Sequence, residues 1–195
     1  MIYSPRFTAI LDACVLYPAP IRDILLNLAD LEIYSPKWSE IIQEEWIRNL
    51  LKNRPDLDKP KLRKTAQAMN AAFPDAEVHS FEELIDLIEL PDSDDRHVLA
   101  AGIKCKADAI ITFNTKDFPR ENLDQYNIEV YTPDKFVNLL HTLNPSIVKQ
   151  AFENQLKSLK NPPMPKEKLI EILEKHGLKN ASELFMKEKL LIKKT

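Results

Sequence analysis

Across residues 1–142 of this 195-residue chain, short apolar runs alternate with amphipathic helical stretches, and that alternation constrains the fold more than any other feature. In FTAILDACVLYP, the run Thr8, Ala9, Ile10 and Leu11 reads as a buried strand with Asp12 at its carboxyl tip. Pro18 and Pro20 then open IRDILLNLAD, where Ile21, Ile24, Leu25 and Leu28 mark one buried helical face. LEIYSP reads as a short strand, and WSEIIQEEWIRNLLK as a helix capped by Ser39, with Ile41, Ile42, Trp46, Leu50 and Leu51 as its apolar set. A two-proline turn, KNRPDLDKPKLRK, leads into a third helix through LRKTAQAMNAAF, followed by a short strand near AEVHS. Ser93, Asp94 and Asp95 start a helix that buries Val98, Leu99 and Ile103. Ala109 to Phe113 form a continuous apolar strand, and IEVYTP with DKFVNLLHTL add one more strand and helix.

Such alternation is most economically folded as an α/β domain of three layers, a mostly parallel central sheet covered by helices on both faces. Active sites in these sheets lie beyond the strand carboxyl ends. Residues 143–195 carry no strand pattern and read as two or three helices broken at Asn161-Pro162-Pro163. The expected organisation is therefore a main domain over 1–142 and a helical C-terminal extension over 143–195. The extension has an apolar stripe at Leu169, Ile172, Leu173 and Leu178 that must be buried, most simply within the same chain.

Composition excludes several classes. Gly102 and Gly177 are the only glycines, so neither a Walker loop nor a dinucleotide fingerprint can be built. Cys14 and Cys105 match no zinc spacing and read as reduced, packed thiols. No apolar run approaches a membrane span, and Arg6 with Asp12 argues against a secretory signal, so the expected compartment is the cytoplasm with no membrane partner. A net charge of −3 says little about nucleic acid until the acids are located.

Polar groups recur at matched places: Asp12 after the first strand, Glu44 and Glu45 on the second helix, Asp92 to Asp95 at a helix start, and Asn114 with Asp117 after ITF. Aspartate at a strand end or helix start is first of all a turn or cap residue. Asp12 differs, because it interrupts an apolar run and would bury a charge unless something compensates it. If these acids converge, an all-oxygen set without histidine or thiolate suits Mg²⁺ or Mn²⁺ rather than zinc. Such a site serves phosphodiester hydrolysis without a protein nucleophile.

The order ILDACVLYP, WSEIIQEEWIRNL and LPDSDDRHVLAAGIKCKADAIITFNTKDFP resembles the PIN-domain ribonucleases, including VapC-type toxins of toxin–antitoxin pairs, over residues 7–136. The third block is the most specific, and the C-terminal segment looks like an extension found on some longer members. The resemblance implies a metal-dependent ribonuclease in which Asp12, Glu45 and Asp95 are the core acids. The fourth position falls within TFNTKDF, where many members have aspartate in the place of Asn114 and Asp117 lies three residues on. Glu44 against Glu45 stays open, as do Asp92 or Asp94 against Asp95. Glu44 and Glu45 point about 100° apart on a helix, so only one can face the sheet tip, and Glu45 is favoured. The resemblance also implies an antitoxin partner whose tail fills the acidic site. A homodimer through the extension is a further expectation.

For RNA, Arg48 to Lys64 hold seven basic residues (Arg48, Lys52, Arg54, Lys59, Lys61, Arg63 and Lys64) against Asp56 and Asp58. The choice lies between a backbone-tracking patch and a solvated surface. Arg96 and Lys116 stand nearer the presumed chemistry. His97 reads as packing or capping locally, His79, His141 and His176 have no metal spacing, and Trp38 and Trp46 read as core or interface. Asp12-Ala13-Cys14 lacks the Asp-x-Asp of haloacid-dehalogenase-like phosphatases, and no receiver-domain pattern is evident. The non-enzymatic rival is a PIN scaffold weakened at Asn114.

Overall fold

The structure, a computed structural model, describes residues 7–160 and 162–187. Arg6 lies outside the described residues, as does Asn161. The elements run in the alternating order expected: β1 (Thr8–Leu11), α1 (Ala13–Leu16), α2 (Ala19–Asp30), β2 (Ser35–Lys37), α3 (Glu40–Asn53), α4 (Lys59–Ala72) and α5 (Glu82–Ile85). A 3₁₀ turn at Ser93–Asp95 leads into α6 (Arg96–Cys105), then β3 (Ala109–Ile111), α7 (Arg120–Leu123), β4 (Glu129–Tyr131) and α8 (Pro133–Leu143). Three more helices follow, α9 (Pro145–Ser158), α10 (Lys166–Lys175) and α11 (Lys179–Lys187).

The sheet has four strands in the order β2-β1-β3-β4, all parallel, with Ala9 paired to both Pro36 and Ala109. Every residue of β3 is buried, as a strand covered on both faces requires. Alternation along β1 divides the layers. Phe7 stacks on Phe136 of α8, whereas Ile10, of opposite parity, lies against Gly102 of α6. The fold is thus the three-layer α/β/α arrangement, with α6 on one face and α8 on the other.

Several local expectations change. β2 begins at Ser35 because the chain leaves α2 through a turn in which Glu32 takes φ 57° and its N–H bonds Ala29 O, using up the residues before it. The segment AEVHS contributes only a parallel bridge between Trp38 and Glu77 rather than a strand. β3 stops at Ile111 because the Phe113 N–H turns away from the ladder to the Cys14 sulfur. On α3 the buried set is Ile42, Gln43, Trp46 and Ile47, while Ile41 is exposed, since its direction falls a full residue step away from the Ile42–Trp46 row. Ser39 caps this helix by accepting from Ile42 N–H, as expected. Pro60 at the first turn starts α4 earlier than the apolar pattern indicates.

The C-terminal helices bury their stripe within the chain. α9 packs along α2, and α11 packs on α8 and α10. Leu169, Leu173 and Leu178 are buried, with Ile170 rather than Ile172 completing the face, and Phe152 stacks on Phe185 at 4.4 Å. Asp134 of α8 ties the unit together by accepting from Asn180 Nδ2 and from Ala181 N–H at the start of α11. The turn after α10 touches the sheet end: at Gly177, with φ +100°, an added Cβ would stand 3.0 Å from the Phe113 ring.

Candidate metal centre

Asp12 leaves β1 with its N–H still on the ladder, bonded to Ile111 O at 3.1 Å, so its side chain is aimed by the sheet. It is only 2% exposed. Thr112, one residue past β3, donates its hydroxyl to Asp12 Oδ2 at 2.6 Å, and Cys14 Sγ donates to the same oxygen at 3.0 Å. Asn114 N–H in turn donates to Thr112 Oγ1 at 2.9 Å. These bonds knit the tips of the two central strands together. They answer the problem raised by a charge in an apolar run only in part: burial still pushes the Asp12 carboxyl above its usual range, and the charge of Glu45 adds to the rise.

A cavity of about 320 Å³ opens at this sheet end, lined by Asp12, Cys14, Tyr17, Glu45, Asn49, Asn53, Asp95 and Asn114. Glu45, Asn49 and Asn53 follow one another at helical i, i+4, i+8 spacing, so one stripe of α3 forms a wall. Glu44 points elsewhere and pairs with Arg63 at 3.3 Å. Asp95 enters at the 3₁₀ turn before α6, and burial, then the charges of Asp12, Asp117, Asp92 and Glu45, lift its carboxyl to about 7. Asp92 is occupied as a cap, accepting from Asp94 N–H at 2.9 Å, and Asp94 is exposed. Asp117 is not part of the lining, although its charge is felt at Asp95; Asn114 is.

The core acids therefore share one cavity, and among the described residues neither Asp12 nor Asp95 is paired with a lysine or arginine. Among the described residues, too, no three aspartate, glutamate, histidine or cysteine side chains are drawn together closely enough to hold an ion. The donor chemistry nevertheless fits a hard divalent cation: all-oxygen, anionic, and electrostatically unsatisfied, as the raised Asp12 and Asp95 carboxyls show. Such an ion would keep several waters.

Three participants were not expected at the site from the chain alone. Thr112 and Cys14 read as parts of apolar runs, and the chain order that separates them from Asp12 by 100 residues and by two hides the shared hydrogen bonds. His97, expected to pack or cap locally, instead meets Glu45 of α3 across 52 residues, with Nε2 3.1 Å from Oε2.

The basic segment is divided. Arg54 forms a two-pronged pair with Asp56 and Arg63 is held by Glu44. Arg48 and Lys52 are exposed on α3, on the helical face adjoining the cavity wall. Lys116 is exposed in the turn Thr115–Asp117, and Arg96 is half-buried at the start of α6, its Nε lacking a hydrogen-bond partner among the described residues.

The family model for the PIN domain matches residues 8–116, more than half of the chain. The chain belongs to the PIN-domain family. A second model, the VapC50 C-terminal domain, matches residues 133–185, the helices after β4. The chain is 33% identical over 79 residues to a Mycobacterium tuberculosis protein named "Putative ribonuclease VapC50", covering 40% of this chain and 47% of that one. It thus spans about half the length of the curated relative it matches. No solved structure matches the chain. Among the described residues of this PIN protein, no helix is long and apolar enough to cross a membrane.

Proposed function

We propose that the protein is a metal-dependent endoribonuclease that hydrolyses RNA phosphodiester bonds, and that it is the toxin of a type II toxin–antitoxin pair. The observation that carries the reading is the meeting of Asp12, Glu45 and Asp95, from three separate elements, on one cavity at the carboxyl end of a PIN-family sheet. Its relative's name, a ribonuclease of the VapC kind, supports the same reading.

Asp12, Glu45 and Asp95 are the residues that would hold Mg²⁺ or Mn²⁺, with Asn114 lining the same cavity and Asp117 adding charge from the turn beyond. An ion held there would supply the Lewis acidity that phosphodiester hydrolysis by water calls for. Thr112 and Cys14 fix the Asp12 carboxylate so that it meets the ion in one orientation. Arg48 and Lys52 follow the RNA backbone along α3, with Arg54, Arg96 and Lys116 as outer contacts. Phosphate contacts of this kind give affinity without sequence, so the choice of RNA rests with the surrounding loops. The PIN unit spans residues 1–142 and the helical extension 143–195. An antitoxin segment covers the acidic cavity in the resting complex, the extension supports a homodimer, and the protein works in the cytoplasm.

Asn114, in a place where an acid would strengthen the site, favours a second reading, a weakened PIN scaffold that binds RNA or protein without cutting. One experiment separates the two. Purified protein incubated with RNA should release fragments with Mg²⁺ or Mn²⁺ and stop with chelator or with Asp12→Asn. Intact RNA under all conditions would favour the scaffold, and cutting that ignores the chelator would refute the metal mechanism.

A further inference from the structure

Glu45 is carried on a long side chain from the middle of α3, and a glutamate with three rotatable bonds reaches a defined position only if something holds it. The candidate is His97, in the first turn of α6, whose Nε2 lies 3.1 Å from Glu45 Oε2. Both side chains are largely shielded, at 12% exposure for His97 and 25% for Glu45. The other ring nitrogen, His97 Nδ1, is buried with no hydrogen-bond partner among the described residues.

These two facts fix the proton. An ionised carboxylate only accepts hydrogen bonds, so Nε2 must carry the hydrogen. At Nδ1, by contrast, no acceptor among the described residues waits for a hydrogen. We propose that His97 is a positioning residue that, as the Nε2–H tautomer, donates to one oxygen of Glu45 and turns the other toward the cavity shared with Asp12 and Asp95. The inference rests on the proposed metal site and adds a part to it. His97 touches neither ion nor RNA. It stands one residue from Arg96 and two from Asp95, so the turn that delivers Asp95 also delivers the group that aims Glu45. Two acids on different elements are thereby set relative to each other through one short segment.

The test has two arms. Long-range ¹H–¹⁵N NMR of the metal-free protein should show His97 protonated on Nε2 and bare on Nδ1; the reverse pattern overturns the proposal. Calorimetric titration with Mn²⁺ alone should show binding about ten- to a hundred-fold weaker for His97→Ala and His97→Asn, the range typical of groups that orient a metal ligand. His97→Gln, whose amide reaches to about the position of Nε2, should recover most of the affinity. That rescue guards against a mere loss of packing, since melting curves of the Gln variant can be matched to wild type. If His97→Ala binds Mn²⁺ like wild type while Asp12→Asn does not, His97 has no positioning role although the metal site stands. Should Asp12→Asn itself bind like wild type, the metal site fails and the proposal falls with it.

Discussion

The acid cavity makes a quantitative prediction about Asp95→Asn. In the folded protein the Asp95 carboxyl is lifted from 3.8 to about 7, by burial first and then by the neighbouring carboxylates. An acid that holds its proton more tightly folded than unfolded favours the folded state while protonated. Its contribution is fully present below about pH 4 and is lost as pH rises through about 7. A tenfold change in proton affinity is worth about 1.4 kcal/mol, so the whole displacement would amount to about 4 kcal/mol. Asp95 is only half-buried, and screening by water reduces this to about 1–2 kcal/mol. Asparagine keeps the shape and carries no charge. The variant should therefore gain about 1–2 kcal/mol relative to wild type between pH 4.5 and pH 8 without metal. Urea unfolding followed by circular dichroism, in chelator and at three pH values, measures the difference directly. A stability difference that stays constant with pH, or a variant less stable than wild type at pH 8, would refute the electrostatic reasoning.

Thr112→Val removes a buried hydroxyl that both donates to Asp12 and accepts from Asn114 N–H, and should cost about 2–3 kcal/mol in urea unfolding. Gly177→Ala forces a side chain into φ +100° against the Phe113 ring and should cost at least about 1 kcal/mol, read as a lower melting temperature. Burial pushes the Cys14 thiol up, the Asp12 charge adding to the effect, and lifts Cys105 to about 11; iodoacetamide at pH 8 should label both far more slowly in native than in unfolded protein, followed by mass spectrometry. On α3, Glu45→Gln should abolish RNA cleavage, whereas Glu44→Gln, which loses only an exposed pair with Arg63, should stay within about twofold in the same gel assay.

The sheet and its order of elements were legible because parallel strands buried on both faces must be continuously apolar, and helices on such a sheet must show a stripe. Ile21, Ile24, Leu25 and Leu28 illustrate this, all fully buried on α2. Asp12 was legible for the opposite reason, as a charge where none should be. The choice of Glu45 over Glu44 rested on the resemblance, and the fold gives it a physical basis in the 45, 49, 53 stripe of α3. What the sequence hid was everything carried by tertiary pairing: Thr112 and Cys14 converging on one oxygen, and His97 meeting Glu45 across 52 residues. Ile41 and the segment AEVHS misled because local apolar pattern does not reveal where the neighbouring element ends.

The most direct measurement is anomalous diffraction from crystals of the protein soaked in Mn²⁺. A manganese peak should appear inside the cavity lined by Asp12, Glu45 and Asp95, with carboxylate oxygens within about 2.3 Å of the ion and water in the remaining positions. A fully soaked crystal with that cavity empty of manganese, or with the ion held elsewhere and these three acids turned away from it, would contradict the proposed metal site.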